Sequence, residues 1–251
     1  MTNTNALISR LGKLLSPEEC ESLVRSLRHS VAMASRENIV RDGDEIVSLR
    51  VLMDGIACRT RSIPGGRRAI VGYILPGEFC DLNAMITGQR HHTVVSVTPC
   101  RVAEIPLAAF TELCTRPGIL RAFLWAAALD EAILREWVAN MGQETADHRV
   151  ARLLCELRVR LEGIGLSRGG ELNLPITQEE LGECLGISTV HVNRVMQRLR
   201  ADDLIRAKGR MMVVPDIKRL EAFAEFDPSY LAPQDPGRIF RNSMAFKISA
   251  E

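Results

Sequence analysis

The sequence predicts an α+β chain: an N-terminal double-stranded β-helix (jelly-roll) domain, one long helix, and a C-terminal winged helix-turn-helix. Three observations carry that expectation. Between Glu37 and Pro106, short apolar runs alternate with turn pairs such as Asp42-Gly43, Asp54-Gly55, Pro76-Gly77 and Thr87-Gly88, the spacing of an antiparallel sandwich or roll. Between Ile119 and Met141 there is no glycine or proline, and Ala, Leu and Glu dominate. From Thr177 to Arg200, two short amphipathic segments meet at Gly186.

In chain order, residues 1–36 read as cover helices. Leu7, Ile8, Leu11, Leu14 and Leu15 recur at helical spacing, and Ser16 caps a second helix with Pro17 at its first position. The β domain is expected over 37–116. Residues 47–53 and 56–61 flank Asp54-Gly55, a strong short-range hairpin signal. Residues 69–75, 93–98 and 101–105 add further strands. A roll of this kind encloses apolar space, which suits it to a small ligand and to a sensor role.

The long helix, expected over 117–145, is apolar on more than one side through Leu120, Phe123, Leu124, Ala127, Leu134, Trp137 and Met141. It must therefore bury two surfaces, one on the roll and one on a second copy of itself. Leu120, Ala127, Leu134 and Met141 recur every seven residues like a coiled-coil seam, with Asp130 and Glu131 interrupting neighbouring positions.

Residues 146–226 form the remaining unit. Thr177 and Glu180 make a capping box. Gly182 lets two helices approach, Gly186 supplies positive φ in the turn, and Val192 packs in the angle between them. Ser188 caps the second helix, which buries Val192, Val195 and Leu199. Residues 204–206 and 211–214 flank Lys208-Gly209-Arg210 as a wing, and a short helix closes at about residue 226. Residues 227–251 lack an apolar period and are expected to form a flexible tail.

Composition sets outer bounds. The 251 residues are 46% hydrophobic and 25% charged with net charge +1, as in a globular protein without a global basic field. No apolar run is long enough to span a bilayer and no leader is evident, so a cytoplasmic protein without membrane contact is expected. The seven cysteines, Cys20, Cys58, Cys80, Cys100, Cys114, Cys155 and Cys184, show no paired spacing, so buried thiols are expected and no metal site. A β-roll enzyme would need convergent metal ligands, and the roll offers only His91 and His92, so no enzymatic activity is expected.

Asp54-Gly55, the turn Pro76-Gly77-Glu78-Phe79 and the run from Ile187 to Arg194 together resemble the CRP/FNR family of bacterial transcription regulators over residues 36–215. The resemblance implies a homodimer paired along the long helix, a palindromic site in double-stranded DNA, contact with RNA polymerase, and an effector in the roll. Its possible pocket residues are Glu78, Phe79, Asp81, Leu82, His92 and Thr93. Members that bind cyclic AMP carry a glycine–glutamate pair where this chain has Asp81 and Leu82, and an arginine–hydroxyl pair where it has His92 and Thr93. A cyclic phosphate needs a cationic fork, and Asp81 adds negative charge, so cyclic AMP is not expected. Iron–sulfur members use several N-terminal cysteines; only Cys20 stands there, so no cluster is expected. A haem- or metal-responsive regulator using Cys80, His91 or His92 is the alternative, although adjacent strand residues face opposite ways.

On the second helix, Thr189, Val190, Asn193 and Arg194 face outward as base readers, with His191 at the flank. Arg194 matches an arginine the family uses on guanine, whereas Val190 replaces a common glutamate. Phosphate contacts are expected from Thr177, Gln178, Ser188, His191, Arg198, Arg206, Lys208 and Arg210.

Overall fold

The computed structural model describes residues 4–143, 145–167, 171–172, 174–208 and 211–231. The chain opens with α1 (Asn5–Leu11), a 3₁₀ turn (Gly12–Leu14) and α2 (Pro17–Ser26). The Ser16 hydroxyl accepts from the Glu19 amide while the Glu19 carboxylate accepts from the Ser16 amide, so the expected cap forms reciprocally. Leu7, Leu11 and Leu23 are fully buried beneath these helices. The helical expectation to residue 36 fails after Ser26. β1 (Arg28–Met33) instead pairs with a distant edge, Val31 opposite Val102, and that pairing satisfies its backbone where local pattern is weak.

β2 (Asn38–Val40), β3 (Ser48–Asp54), β4 (Ala57–Ile63), β5 (Arg67–Ile74), α3 (Leu82–Thr87), β6 (Thr93–Ser96) and β7 (Cys100–Pro106) complete the roll. Its two antiparallel sheets have orders β1-β7-β3 and β2-β6-β4-β5. The Asp54-Gly55 hairpin does not form. β3 pairs with β7 in one sheet, and β4 pairs with β5 and β6 in the other. Gly55 turns this corner at φ +85°, and a Cβ there would stand 2.4 Å from the Pro99 carbonyl oxygen. The Val97 amide donating to the Ile56 carbonyl at 2.8 Å holds the corner. The true hairpin joins β4 to β5, with Ile63 opposite Arg67.

α4 (Leu107–Cys114) leads into α5 (Pro117–Gln143), the expected long helix. α6 (Ala146–Glu162), β8 (Glu171–Leu172), α7 (Gln178–Leu185), α8 (Thr189–Ala201), β9 (Arg206–Lys208), β10 (Met211–Val213) and α9 (Ile217–Phe223) form the C-terminal unit. The wing is a three-stranded sheet ordered β8-β10-β9, one strand more than the sequence indicates. Leu204 and Ile205, expected on a strand, are buried ahead of β9. The start of the expected tail is anchored. Tyr230, in a 3₁₀ turn, donates its hydroxyl to Glu156 at 3.3 Å and meets Phe226 edge-on at 6.2 Å. Residues 232–251 of that tail lie outside the described residues.

Among the described residues the chain buries three cores, one inside the roll around Leu52, Ile74 and Val94 and two that join it to the helices. Of these two, one lies under α1 and α2, where Phe123 of α5 stacks on Phe110 at 5.2 Å and meets Phe79 edge-on at 5.4 Å. The other joins Ile56, Cys58, Tyr73 and Val95 of the roll to Leu154, Leu181, Cys184 and Val192 of the C-terminal unit. α7 lies against β5 there, and Glu183 accepts from Arg68 Nε and Nη2 at 2.9 and 2.6 Å.

Candidate nucleic-acid interface

α7 and α8 meet as their residues require. Thr177 and Glu180 form the capping box, and Gly186 ends α7 in the left-handed region at φ +67°. A Cβ on Gly182 would stand 2.7 Å from the Ile187 carbonyl oxygen, so only glycine permits this approach. Val192, Val195, Met196 and Leu199 are buried, which fixes which face of α8 looks outward. The Ser188 hydroxyl accepts from the His191 amide at 3.2 Å, and no acidic residue lies in the first turn. The positive end of the α8 dipole is therefore uncompensated by carboxylates.

The four expected base readers come together. Thr189, Val190, Asn193 and Arg194 line one open concavity with Gln178 and Gln197. Val190 is 63% exposed, so its apolar side chain is open to contact on this face. Arg194 is exposed and pairs with no carboxylate among the described residues. His191 is exposed at the flank, as expected.

The phosphate candidates divide. Gln178 and Ser188 border the concavity or the α8 start. The Thr177 amide and hydroxyl are already engaged by Glu180, at 2.7 and 3.0 Å, beside a first turn containing Glu179. Arg198 is not free either: Nε and Nη2 donate to Asp147 at 3.0 and 2.9 Å. Arg206 likewise grips Asp203, at 2.7 and 2.8 Å, and the guanidinium holds the Asp203 carboxyl below its ordinary range. Exposed pairs of this kind contribute little stability, so a phosphate can displace either carboxylate. Sequence reading missed both partners. Asp147 lies 51 residues away from Arg198, whereas Asp203 sits three residues before Arg206 and was legible as a local pair. Lys208 lies on β9, and Arg210 falls outside the described residues.

The six possible effector-pocket residues are each engaged within the fold. Phe79 and Leu82 pack into the core under α5. Glu78 pairs with Arg10 at 3.0 Å and Arg160 at 2.7 Å. Asp81 is fully buried and accepts from Nε and Nη2 of buried Arg90, at 3.0 and 2.8 Å, and from the Arg50 amide at 3.0 Å. The expectation that Asp81 adds open negative charge to the roll is thus corrected, because Arg90 neutralises it. The Thr93 hydroxyl accepts from the Asp42 amide at 3.2 Å. His92 is buried with Nε2 at 3.2 Å from the Cys80 carbonyl oxygen, whereas His91 is exposed. Burial, followed by the charge of Arg59, lowers the His92 imidazole and keeps it neutral. The buried thiols Cys58 and Cys155 are each pushed up to about 12, chiefly by burial. Among the described residues no group of three or more His, Cys, Asp or Glu is placed to hold a metal, and no helix is long and apolar enough to cross a membrane.

On α5, the expected dimer residues fall on two faces. Leu120, Leu124, Leu134, Val138 and Met141 are 41–62% exposed. With Ala127 and Glu131 they continue a four-three spacing from end to end, so the seam includes Leu124 and Val138 as well as the seven-residue series. Phe123 and Trp137 turn away from it. Phe123 is buried on the roll, and Trp137 Nε1 donates to Glu156 at 2.8 Å.

Comparison with known proteins agrees with this geometry. The cyclic nucleotide-binding domain model matches residues 31–116, and the Crp-like helix-turn-helix domain model matches residues 148–223. The transcriptional activator protein FnrA of Stutzerimonas stutzeri is 27% identical over 84% of this chain and 86% of its own length. The nitrogen fixation regulation protein FixK of Bradyrhizobium diazoefficiens is 27% identical over 82% of this chain and 89% of its own. In three dimensions, FixK2 from Bradyrhizobium japonicum superposes with a TM-score of 0.69 at 20% identity, covering 77% of this chain and 96% of that one.

Proposed function

The chain belongs to the CRP/FNR family of transcription regulators, and on that premise we propose that it binds a two-fold operator in double-stranded DNA as a homodimer. The observation that carries this reading is the concavity of Thr189, Val190, Asn193 and Arg194. It combines a guanidinium fork free for guanine O6 and N7, an amide able to pair with adenine, and an apolar side chain suited to a thymine methyl. The exposed apolar seam of α5 supports pairing of two copies, which would present two such helices to successive major grooves.

The regulator works without cyclic AMP in the roll and without an iron–sulfur cluster. At the clamp position a neutral imidazole faces a carbonyl, and the nearby Arg90 is consumed by Asp81; neither can grip a cyclic phosphate. It acts in the cytoplasm, contacts RNA polymerase, and has no catalytic role. Binding-site selection with the purified chain tests the core of this reading. A palindromic site should emerge, and Arg194→Ala should lower specific binding by about 1–3 kcal/mol and relax one base position. An equal loss on random DNA would remove Arg194 as a base reader.

A further inference from the structure

A cleft of about 200 Å³ lies between the N-terminal helices, α5 and the end of α6, away from both the roll interior and the DNA face. Trp125 and Leu129 of α5 and Ile164 beyond α6 give it apolar walls, while Arg10, Lys13 and Arg160 make it cationic. The Arg10 side chain is only 10% exposed. Its Nε donates to the Pro76 carbonyl oxygen at 2.8 Å and its Nη1 pairs with Glu78 at 3.0 Å. Its Nη2 is buried and makes no hydrogen bond among the described residues. An unmatched buried guanidinium hydrogen is costly, so a site that leaves one is poised for an acceptor. Arg160 differs: Glu78, Glu156 and the Tyr73 carbonyl oxygen take its donors at 2.7, 2.7 and 2.8 Å. Arg10 and Arg160 are thus balanced by Glu78 and Glu156, and exposed Lys13 leaves one positive charge in excess. One excess charge beside apolar walls matches a monoanion better than a dianionic phosphate.

We propose that this cleft binds a small monocarboxylate with an apolar body. The carboxylate pairs with Lys13 and, after a small turn of the guanidinium toward the cleft, with Arg10 Nη2, and the body lies against Trp125, Leu129 and Ile164. The walls come from the long helix and from α6, which carries the DNA-reading unit, so occupancy biases how that unit is held. This regulatory consequence rests on the DNA-binding reading above, whereas the binding site itself does not.

Calorimetric titration of the full chain with benzoate tests the site, with neutral benzamide as the matched probe. Benzoate should bind saturably, one per chain, and benzamide about tenfold more weakly. Gly163 supplies the blocking variant, because it lines the cleft and a Cβ there meets nothing closer than the Val159 carbonyl oxygen at 3.5 Å. Gly163→Leu should abolish binding while the circular dichroism spectrum stays native. Lys13→Met, at an exposed position, should weaken benzoate about tenfold and decides the matter if the first variant does not fold. No saturable binding up to about 20 mM, or unaltered affinity in a folded variant, overturns the site. Saturating benzoate should also shift operator affinity by linkage. An unshifted affinity overturns the regulatory consequence, and loss of operator binding under every condition would instead refute the DNA-binding reading.

Discussion

Leu134→Glu is the sharpest probe of pairing along α5. Leu134 stands in the middle of the four-three seam and is 48% exposed. Complete burial of a leucine side chain stabilises by about 1.5–3 kcal/mol, so covering the remaining half contributes about 1 kcal/mol per protomer. A two-fold interface counts each residue twice, giving about 2 kcal/mol per dimer. The variant loses that term and brings two carboxylates together across the seam, so the dimer Kd should rise about 30-fold or more. Sedimentation velocity over a concentration series reads this directly. Ala139→Glu is the control, since Ala139 is exposed on the same helix but one residue off the seam. If Leu134→Glu leaves the Kd unchanged, or if both variants raise it equally, the seam is not the interface.

Other perturbations test the remaining assignments. Glu131→Leu fills the one charged step of the seam, now ion-paired with Arg135 at 2.6 Å, and should tighten the dimer in the same assay; a weaker dimer would show a different register. Arg206→Ala should weaken binding to random DNA and flatten its salt dependence by about one unit; an unchanged slope would remove Arg206 as a phosphate contact. Gly182→Ala forces a Cβ to 2.7 Å from a backbone oxygen and should cost about 1–3 kcal/mol in thermal unfolding, so an unaltered Tm would refute the close approach. Burial and then Arg59 hold His92 below its ordinary 6.5, so the unfolded chain binds the extra proton more readily. The stability that His92 contributes is present above the unfolded value and lost as pH falls through the folded one. Wild type should therefore lose stability below about pH 6.5 faster than His92→Gln, and parallel denaturation midpoints would refute this.

The features legible in the sequence were those whose causes are local. Thr177 and Glu180 cap a helix because they lie three residues apart, and Gly186 ends it because no other residue enters the left-handed region as cheaply. The order of roll, long helix and reading unit was legible for the same reason. Asp54-Gly55 was misleading because the same dipeptide serves a hairpin and a corner between sheets. The difference lies with Pro99, more than forty residues on, whose carbonyl leaves no room for a Cβ. β1 was invisible because its pairing with β7 decides it. In the candidate site, the outward face of α8 followed from which residues are apolar. The engagement of Arg198 by Asp147 and of Asp81 by Arg90 did not, since each depends on chain segments brought together by the fold.

The link between roll and reading head runs through charge as well as apolar packing. Glu78 sits on the tight turn after β5, where burial alone would raise its carboxyl, but Arg10 and Arg160 outweigh that and hold it below the ordinary range. Glu156, on α6, is raised by burial yet fully occupied by Arg160, Trp137 and Tyr230. Arg160 therefore bridges a carboxylate of the roll and a carboxylate of the DNA-reading unit. Removing one partner from a buried pair costs about 3–5 kcal/mol, a large share of the roughly 5–15 kcal/mol that holds a domain folded. Apolar faces can slide past one another, but a guanidinium fork accepts its carboxylates in few geometries. A displacement of α6 must then either break this bridge or carry the turn at Glu78 with it. Because α6 also packs against α8, only α6 separates that turn from the helix bearing Arg194.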